Sequence, residues 1–241
     1  GMYMPQSIKR DSVPANLRNR EAVTLALEGR YVLSETEDVI LHSLKAFEEN
    51  EPSMHVIEVD EGPDTEYFSY KQYASFSFED VVDTYTVSLP SCFRRSSFLT
   101  IYSMLEFHLT NFCNKKMDAM RFPLSYKDIN STGIERCNTI LKKIFGMVHS
   151  ENMKLLNQLA RLRNSCVHNN AIITNDKDKL NSLISLSNGV LYFQHDEVIF
   201  QKGSLDFIIS IIKNTLKILN YYSPVQNDDF GAIYINFLPL P

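Results

Sequence analysis

A chain of 241 residues with 44% apolar side chains can bury a sizeable core, which excludes extensive disorder. No uninterrupted apolar run reaches the roughly eighteen residues of a membrane span. The net charge of −5 argues against a general nucleic-acid coat protein.

That charge is unevenly spread. Residues 94–163 hold twelve Lys/Arg against five Asp/Glu, and the rest of the chain holds twelve against twenty-four. A basic middle inside an acidic chain can attract phosphate locally, although a solvated lysine-bearing helix face is the plainer explanation. Gly1 ahead of Met2 reads as a remnant of tag removal. The polar first twenty residues carry no signal-peptide pattern, so a cytoplasmic protein is expected. Cys92, Cys113, Cys137 and Cys166 form no CxxC, and no HxxxH is present. They read as small buried hydrophobes in a reducing compartment, and neither a metal nor a cofactor is expected.

In chain order, residues 16–50 read as helix. Leu17, Val23, Ala26, Leu27 and Tyr31 share one face, as do Val39, Ile40, Ser43, Leu44 and Phe47. Gly29 and the Ser34-x-x-Glu37 capping pattern predict a break near residues 29–35. Residues 51–75 predict a loop with a short hairpin, from the alternation at Val56, Ile57 and Val59 and at Tyr67, Phe68 and Tyr70. Glu35 to Glu66 carries eleven acids and a single base, Lys45. This is a solvated surface, a gate over a site or a place for a partner.

One or two helical turns are predicted over 77–86, and a longer helix from Pro90 to about Met117. Its buried stripe is Phe98, Tyr102, Leu105, Leu109 and Phe112, with Glu106 at the margin. Residues 118–132 read as loop, and Ile134–Phe145 as a short helix with Ile140, Leu141 and Ile144 inward and Lys142 and Lys143 outward. Ser150 is placed to cap a helix running from about Glu151 to His168, closed by Asn169-Asn170. A short helix is expected near Lys179–Ser185, a hairpin over 190–201 turning at His195-Asp196, and a last helix from a Ser204 cap to Tyr222. That last helix directs Ile208, Ile212, Thr215, Leu219 and Tyr222 one way, with Ile209 and Leu216 beside them.

The candidate site is Arg163-Asn164-Ser165-Cys166-Val167-His168 at the end of the Glu151–His168 helix. Leu155, Leu159, Leu162 and Cys166 define its core face. At about 100° per residue, Asn164 and His168 fall about 40° from each other on the opposite side, while Arg163 lies about 140° from His168. The arginine and histidine can then meet through the arginine's reach, through a helix loosened at His168, or across two copies of the helix in a dimer. A second apolar arc, Met153, Leu156, Ala160 and Val167, needs cover from this chain or another. The residue types suit phosphodiester cleavage. A guanidinium holds phosphate oxygens, an imidazole moves a proton near neutrality, and the 2′-hydroxyl of RNA is a built-in nucleophile. Lys142, Lys143, Lys154 and Arg161 are candidate RNA- or phosphate-binding cations. The structural alternative pairs Arg163 with Glu106.

The Arg163-Asn164-x-x-x-His168 pattern at a helix end resembles the R-x4–6-H motif of the HEPN superfamily. The similarity extends over much of 90–222, including the Lys127-Asp-Ile-Asn-Ser-Thr-Gly-Ile134 loop. It implies a helical bundle that dimerises, and a metal-independent endoribonuclease of toxin–antitoxin or phage-defence type; other members of the superfamily only bind. It assigns phosphate binding to Arg163, the following polar position to Asn164 and catalysis to His168, with Glu106 orienting the arginine. The expectation is one all-α domain over 1–241, an up-and-down bundle of about five main helices with small β-hairpin additions. Within it, 1–75 is a helical, acidic extension and 90–222 the motif-bearing bundle. The expected partners are a second copy, an RNA or nucleotide, and an antitoxin or regulatory protein, with no membrane. A non-catalytic module binding nucleotide, RNA or protein is the alternative.

Overall fold

The computed structural model describes residues 20–144, 146 and 151–222. Helices predominate, with two small antiparallel sheets. No helix among these residues is long and apolar enough to cross a membrane. The chain forms two compact units. Among the described residues, the first comprises 20–31, Ile101–Asn157 and 209–222; the second comprises Val32–Thr100 and Gln158–Ile208.

Helix α1 (Arg20–Glu49) is unbroken, contrary to the predicted break at 29–35. A glycine inside a helix costs only about 1 kcal/mol, which a long helix absorbs. The Thr36 hydroxyl donates back to the Val32 carbonyl within the helix. Ile40 and Phe47 are buried as expected, but Tyr31 and Val39 are exposed. The inward face predicted at Leu17, Val23, Ala26 and Leu27 lies outside the described side chains.

In the second unit, residues 51–75 form three strands rather than a loop with one hairpin: β1 (Ser53–Ile57), β2 (Thr65–Tyr70) and β3 (Tyr73–Ser75), in that spatial order. Tyr70 of β2 joins a buried cluster with Phe47, Val81 and Tyr85. Its ring centroid lies 4.9 Å from Phe47 and 4.6 Å from Tyr85, and the Tyr85 hydroxyl donates to the Tyr70 carbonyl at 3.1 Å. Helix α2 (Phe78–Asp83) is capped by the Ser77 side chain and passes through a π-helical stretch, Thr84–Ser88, into α3 (Leu89–Ala119). Pro90 has no N–H to give to the preceding turn, and the wider turn just before it is the local answer.

Arg94 on α3 is buried. Its Nε and Nη2 donate to the Glu37 carboxylate at 2.7 and 3.0 Å, and Nη1 donates to the Phe200 carbonyl at 3.2 Å. Helix α6 (Asn181–Leu186) and the hairpin of β4 (Leu191–Gln194) and β5 (Glu197–Phe200) complete the unit, with His195-Asp196 at the turn as expected.

In the first unit, Ile101, Tyr102, Leu105, Leu109, Cys113 and Met117 of α3 are buried; Phe112 is half-buried and Cys113 takes the inward place assigned to it. Helix α4 (Gly133–Lys143) buries Ile134, Cys137, Ile140 and Leu141 and exposes Lys142 and Lys143. Helix α7 (Ser204–Tyr222) starts in the second unit, where Leu205 and Ile208 are buried, and continues into the first, where Ile211, Ile212 and Thr215 are buried. The Ser204 hydroxyl is buried with no hydrogen-bond partner among the described residues, so it does not act as the expected cap. Ser150 and the side chains of Leu216, Leu219 and Tyr222 lie outside the described ones.

Candidate functional site

The motif helix is α5 (Glu151–His168), with the predicted bounds. Leu155, Leu159, Leu162 and Cys166 are buried, as the wheel requires. Of the second apolar arc, this chain already buries Met153 and Leu156, and leaves Val167 exposed. The helix is regular through His168, so it does not loosen at the histidine. The turn comes two residues later, where Asn170 and Ala171 take φ of 55° and 61°. The Ser165 carbonyl accepts from Asn169 and Ala171 N–H at 2.8 and 3.1 Å. Asparagine tolerates the left-handed conformation because its short polar side chain bonds locally.

Beyond that turn the chain doubles back and makes one wall of an open cleft of about 370 Å³ in the second unit. The other wall is the outer face of α5, where Arg161, Asn164, Ser165 and His168 follow one another at helical spacing. Across from them stand Thr174, Asn175, Asp176 and Lys179. The loop wall is held by long-range bonds. Arg95 of α3 donates to the Asn170 carbonyl at 2.9 Å and to its side-chain oxygen at 2.8 Å. Ile173 N–H donates to the Asp196 carbonyl and Val198 N–H to the Ala171 carbonyl, so residues 171–173 run beside β5. The Gln158 side chain on α5 accepts from Leu183 N–H at 2.8 Å, which ties α6 to the same helix.

Within the cleft the charges are mixed. Lys179 Nζ lies 3.1 Å from the Asp176 carboxylate, and both are exposed. Arg161, Asn164 and His168 are exposed as well. Arg163 is half-buried and does not line the cleft, but its Nη1 donates to Asn164 Oδ1 at 3.0 Å. This engages the oxygen end of the Asn164 amide and leaves Nδ2 as its donor end. Cys166, behind the cleft wall, is a thiol that burial pushes up to about 12, against a smaller opposite pull from Arg95. It is inert at working pH.

The remaining candidates belong to the first unit. The Glu106 carboxylate faces Gly133 at the start of α4: a Cβ there would come within 2.8 Å of its Oε2. An acid at a helix N-terminus is favourably placed. Lys142, Lys143 and Lys154 are exposed on α4 and α5. The structure therefore gathers Arg161, Asn164 and His168, with Arg163 attached through Asn164. It adds Arg95, Asp176, Lys179 and Asn170, none of which the motif pointed to. Their only signal in the sequence was an arginine in an apolar helix and a polar stretch after the motif. Among the described residues, no group of three His, Cys, Asp or Glu side chains is arranged to hold a metal ion. The chain matches no protein-family model, no curated protein and no solved structure.

Proposed function

We propose that the chain is a metal-independent endoribonuclease of HEPN type, cytoplasmic, built on an up-and-down bundle of about five main helices and working as a homodimer. The observation that supports this reading is the convergence of Arg161, Asn164 and His168 on one cleft at the end of the motif helix. His168 takes the proton of the RNA 2′-hydroxyl, the oxygen attacks phosphorus, and the 5′-oxygen leaves with a proton from a second acid. The partner subunit's His168, brought in by a symmetric dimer, is the candidate for that acid. Arg161 and the Asn164 amide hold the phosphate, and Arg163 keeps that amide in place and adds positive charge at the rim. The products are a 2′,3′-cyclic phosphate and a 5′-hydroxyl.

The test is digestion of a panel of end-labelled RNAs in EDTA. Cleavage is expected to persist, and His168→Ala is expected to slow it about 10²–10⁴-fold, the usual worth of a general acid–base. A folded wild-type chain that leaves every RNA intact overturns the reading.

The Lys179–Asp176 pair, which cancels one cation of the cleft, favours a second reading: a module of the same family that binds RNA, nucleotide or a protein without cutting. It predicts unchanged binding in His168→Ala and weaker binding on charge reversal at Lys142, Lys143 or Arg163.

A further inference from the structure

The β1–β2–β3 sheet plays no part in the cleft. It is fixed at one end, where Tyr70 packs edge-on against the stacked rings of Phe47 and Tyr85. At the other end β1 is an outer strand: it pairs with β2 from Ser53↔Ser69 to Ile57↔Thr65, and no described strand lies on its far side. All five of its residues are exposed.

An open strand edge is a template for another strand, and natural edges are usually blunted by lysine, proline, a bulge or brevity. None of these devices is present in β1. Ser53-Met54-His55-Val56-Ile57 contains no lysine and no proline, and its register with β2 runs one-to-one without a bulge. The opposite edge, β3, is three residues long. Met54 and Val56 on one face of β1 are 58% and 51% exposed, and Ile57 and Val59 are exposed too. The strand is also well formed. His55 stacks on Tyr67 at 4.7 Å, and its Nε2 is 2.7 Å from the Ser69 hydroxyl, so the other face is tied down.

The surroundings select the occupant. Glu51, Glu58, Asp60, Glu61, Asp64 and Glu66 are exposed at and beyond the ends of β1, and residues 51–66 contain no lysine or arginine. A second copy pairing through this edge would bring two such acidic sets together, and RNA phosphates would be repelled as well. A cationic polypeptide gains on both counts. Main-chain hydrogen bonds to the strand edge supply affinity, alternate side chains rest on Met54 and Val56, and the charges steer the encounter.

We propose that the outer edge of β1 is the docking site for an extended, basic segment of a partner protein, which adds a fourth strand to this sheet. The proposal does not rest on the ribonuclease reading, and its test measures binding alone.

The probes are a seven-residue peptide alternating lysine and valine and its glutamate–valine counterpart, titrated by fluorescence anisotropy, with amide hydrogen exchange on the complex. The lysine peptide is expected to bind, to slow exchange in 53–57, and to weaken with salt. The glutamate peptide is expected to bind about tenfold or more weakly. Met54→Lys/Val56→Lys, which installs the missing edge defence at exposed positions, should cost a similar factor. Glu58→Lys/Glu61→Lys should weaken the lysine peptide without touching the strand. Equal affinity for the two peptides, no binding at millimolar concentration, or protection appearing outside 53–57 overturns the proposal. Self-association abolished by Met54→Lys/Val56→Lys, or protection of 53–57 by RNA, also overturns it.

Discussion

Arg94 and Arg95 are adjacent in the sequence and do different work. Arg94 serves the fold: its side chain is 7% exposed and paired through two nitrogens with the Glu37 side chain, which is 22% exposed. Removing one member of such a pair strands the other charge, so Arg94→Ala is expected to cost about 3 kcal/mol, read as a lower denaturation midpoint at unchanged slope. Arg95 instead holds Asn170, and so the loop wall of the cleft. Arg95→Ala is expected to spare stability more than Arg94→Ala and to lower RNA affinity or cleavage. A fully active Arg95→Ala would remove it from the site. Cys166 offers a separate check. With its thiol pushed up to about 12, its thiolate fraction at pH 8 is on the order of 10⁻⁴. Iodoacetamide at pH 8 is therefore expected to leave Cys166 unlabelled in the folded chain and to label it after denaturation, by peptide mass mapping. Neither arginine's role was legible in the sequence, because both depend on partners more than fifty residues away.

At the level of elements, legibility followed how local the cause was. The bounds of α5 and the β4–β5 hairpin were readable, since Leu155, Leu159 and Leu162 at helical spacing and the polar His195-Asp196 turn act within their own segments. The continuity of α1 through Gly29 was not, because the breaker signals there are weak beside the cost of ending a long helix. The third strand was missed because β3 is only Tyr73–Ser75 and depends on pairing with β2. Two predictions belong to this scale. Gly133 has φ of 51°, and a Cβ there would press on Glu106. Gly133→Ala should cost about 1–2 kcal/mol of stability, and Glu106→Ala in the same chain should restore the part due to contact but not the part due to the backbone. Full recovery would mean that the backbone conformation contributes nothing. In the 3₁₀ turn Tyr126–Asp128, the Ser125 N–H and hydroxyl both donate to the Asp128 carboxylate, at 2.8 and 2.9 Å, and hold its pKa below the ordinary carboxylate value. The folded value is depressed, so its stabilisation is present above the ordinary carboxylate range and is lost as pH falls through the folded value. Asp128→Asn is expected to flatten the acid limb of a stability–pH curve, and an identical curve would show that the cap does not matter.

For the molecule as a whole, the surplus of positive charge over 94–163 overstates the cationic surface left exposed. Arg94 and Arg95 are engaged as described, and Arg136 donates to the Ser131 carbonyl and stacks 4.8 Å from the Tyr126 ring. The cleft itself offers Arg161 and Lys179. On the proposed reading, Arg161 alone displacing counterions from single-stranded RNA gives a slope of log affinity against log salt of about −0.7, and about −1.4 if Lys179 leaves Asp176 to join it. A measured slope several times steeper would show that Lys142, Lys143 and Lys154 join the contact surface. A flat one would show that neither Arg161 nor Lys179 touches phosphate. What the sequence conveyed at this scale was charge sign and helical content. The cleft was hidden because its second wall is held in place by bonds among Arg95, Asn170, Ile173 and Asp196, which come together only in the folded chain.

The wide turn at Thr84–Ser88 sets a rotational phase. It carries an i→i−5 bond, from Leu89 N–H to the Thr84 carbonyl, where an α-helix would carry i→i−4. It thus takes up one extra residue without adding its rotation of about 100° between the part of the helical run that seats Val81 and Tyr85 against Phe47 and the part that aims Arg94 and Phe98 inward. Deleting a single residue there would restore an unbroken α-helix and leave both of those faces in register. The chain should therefore tolerate removal of the exposed Thr86 far better than removal of one residue from the α-helical stretch that follows, read as the denaturation midpoint of the two deletions.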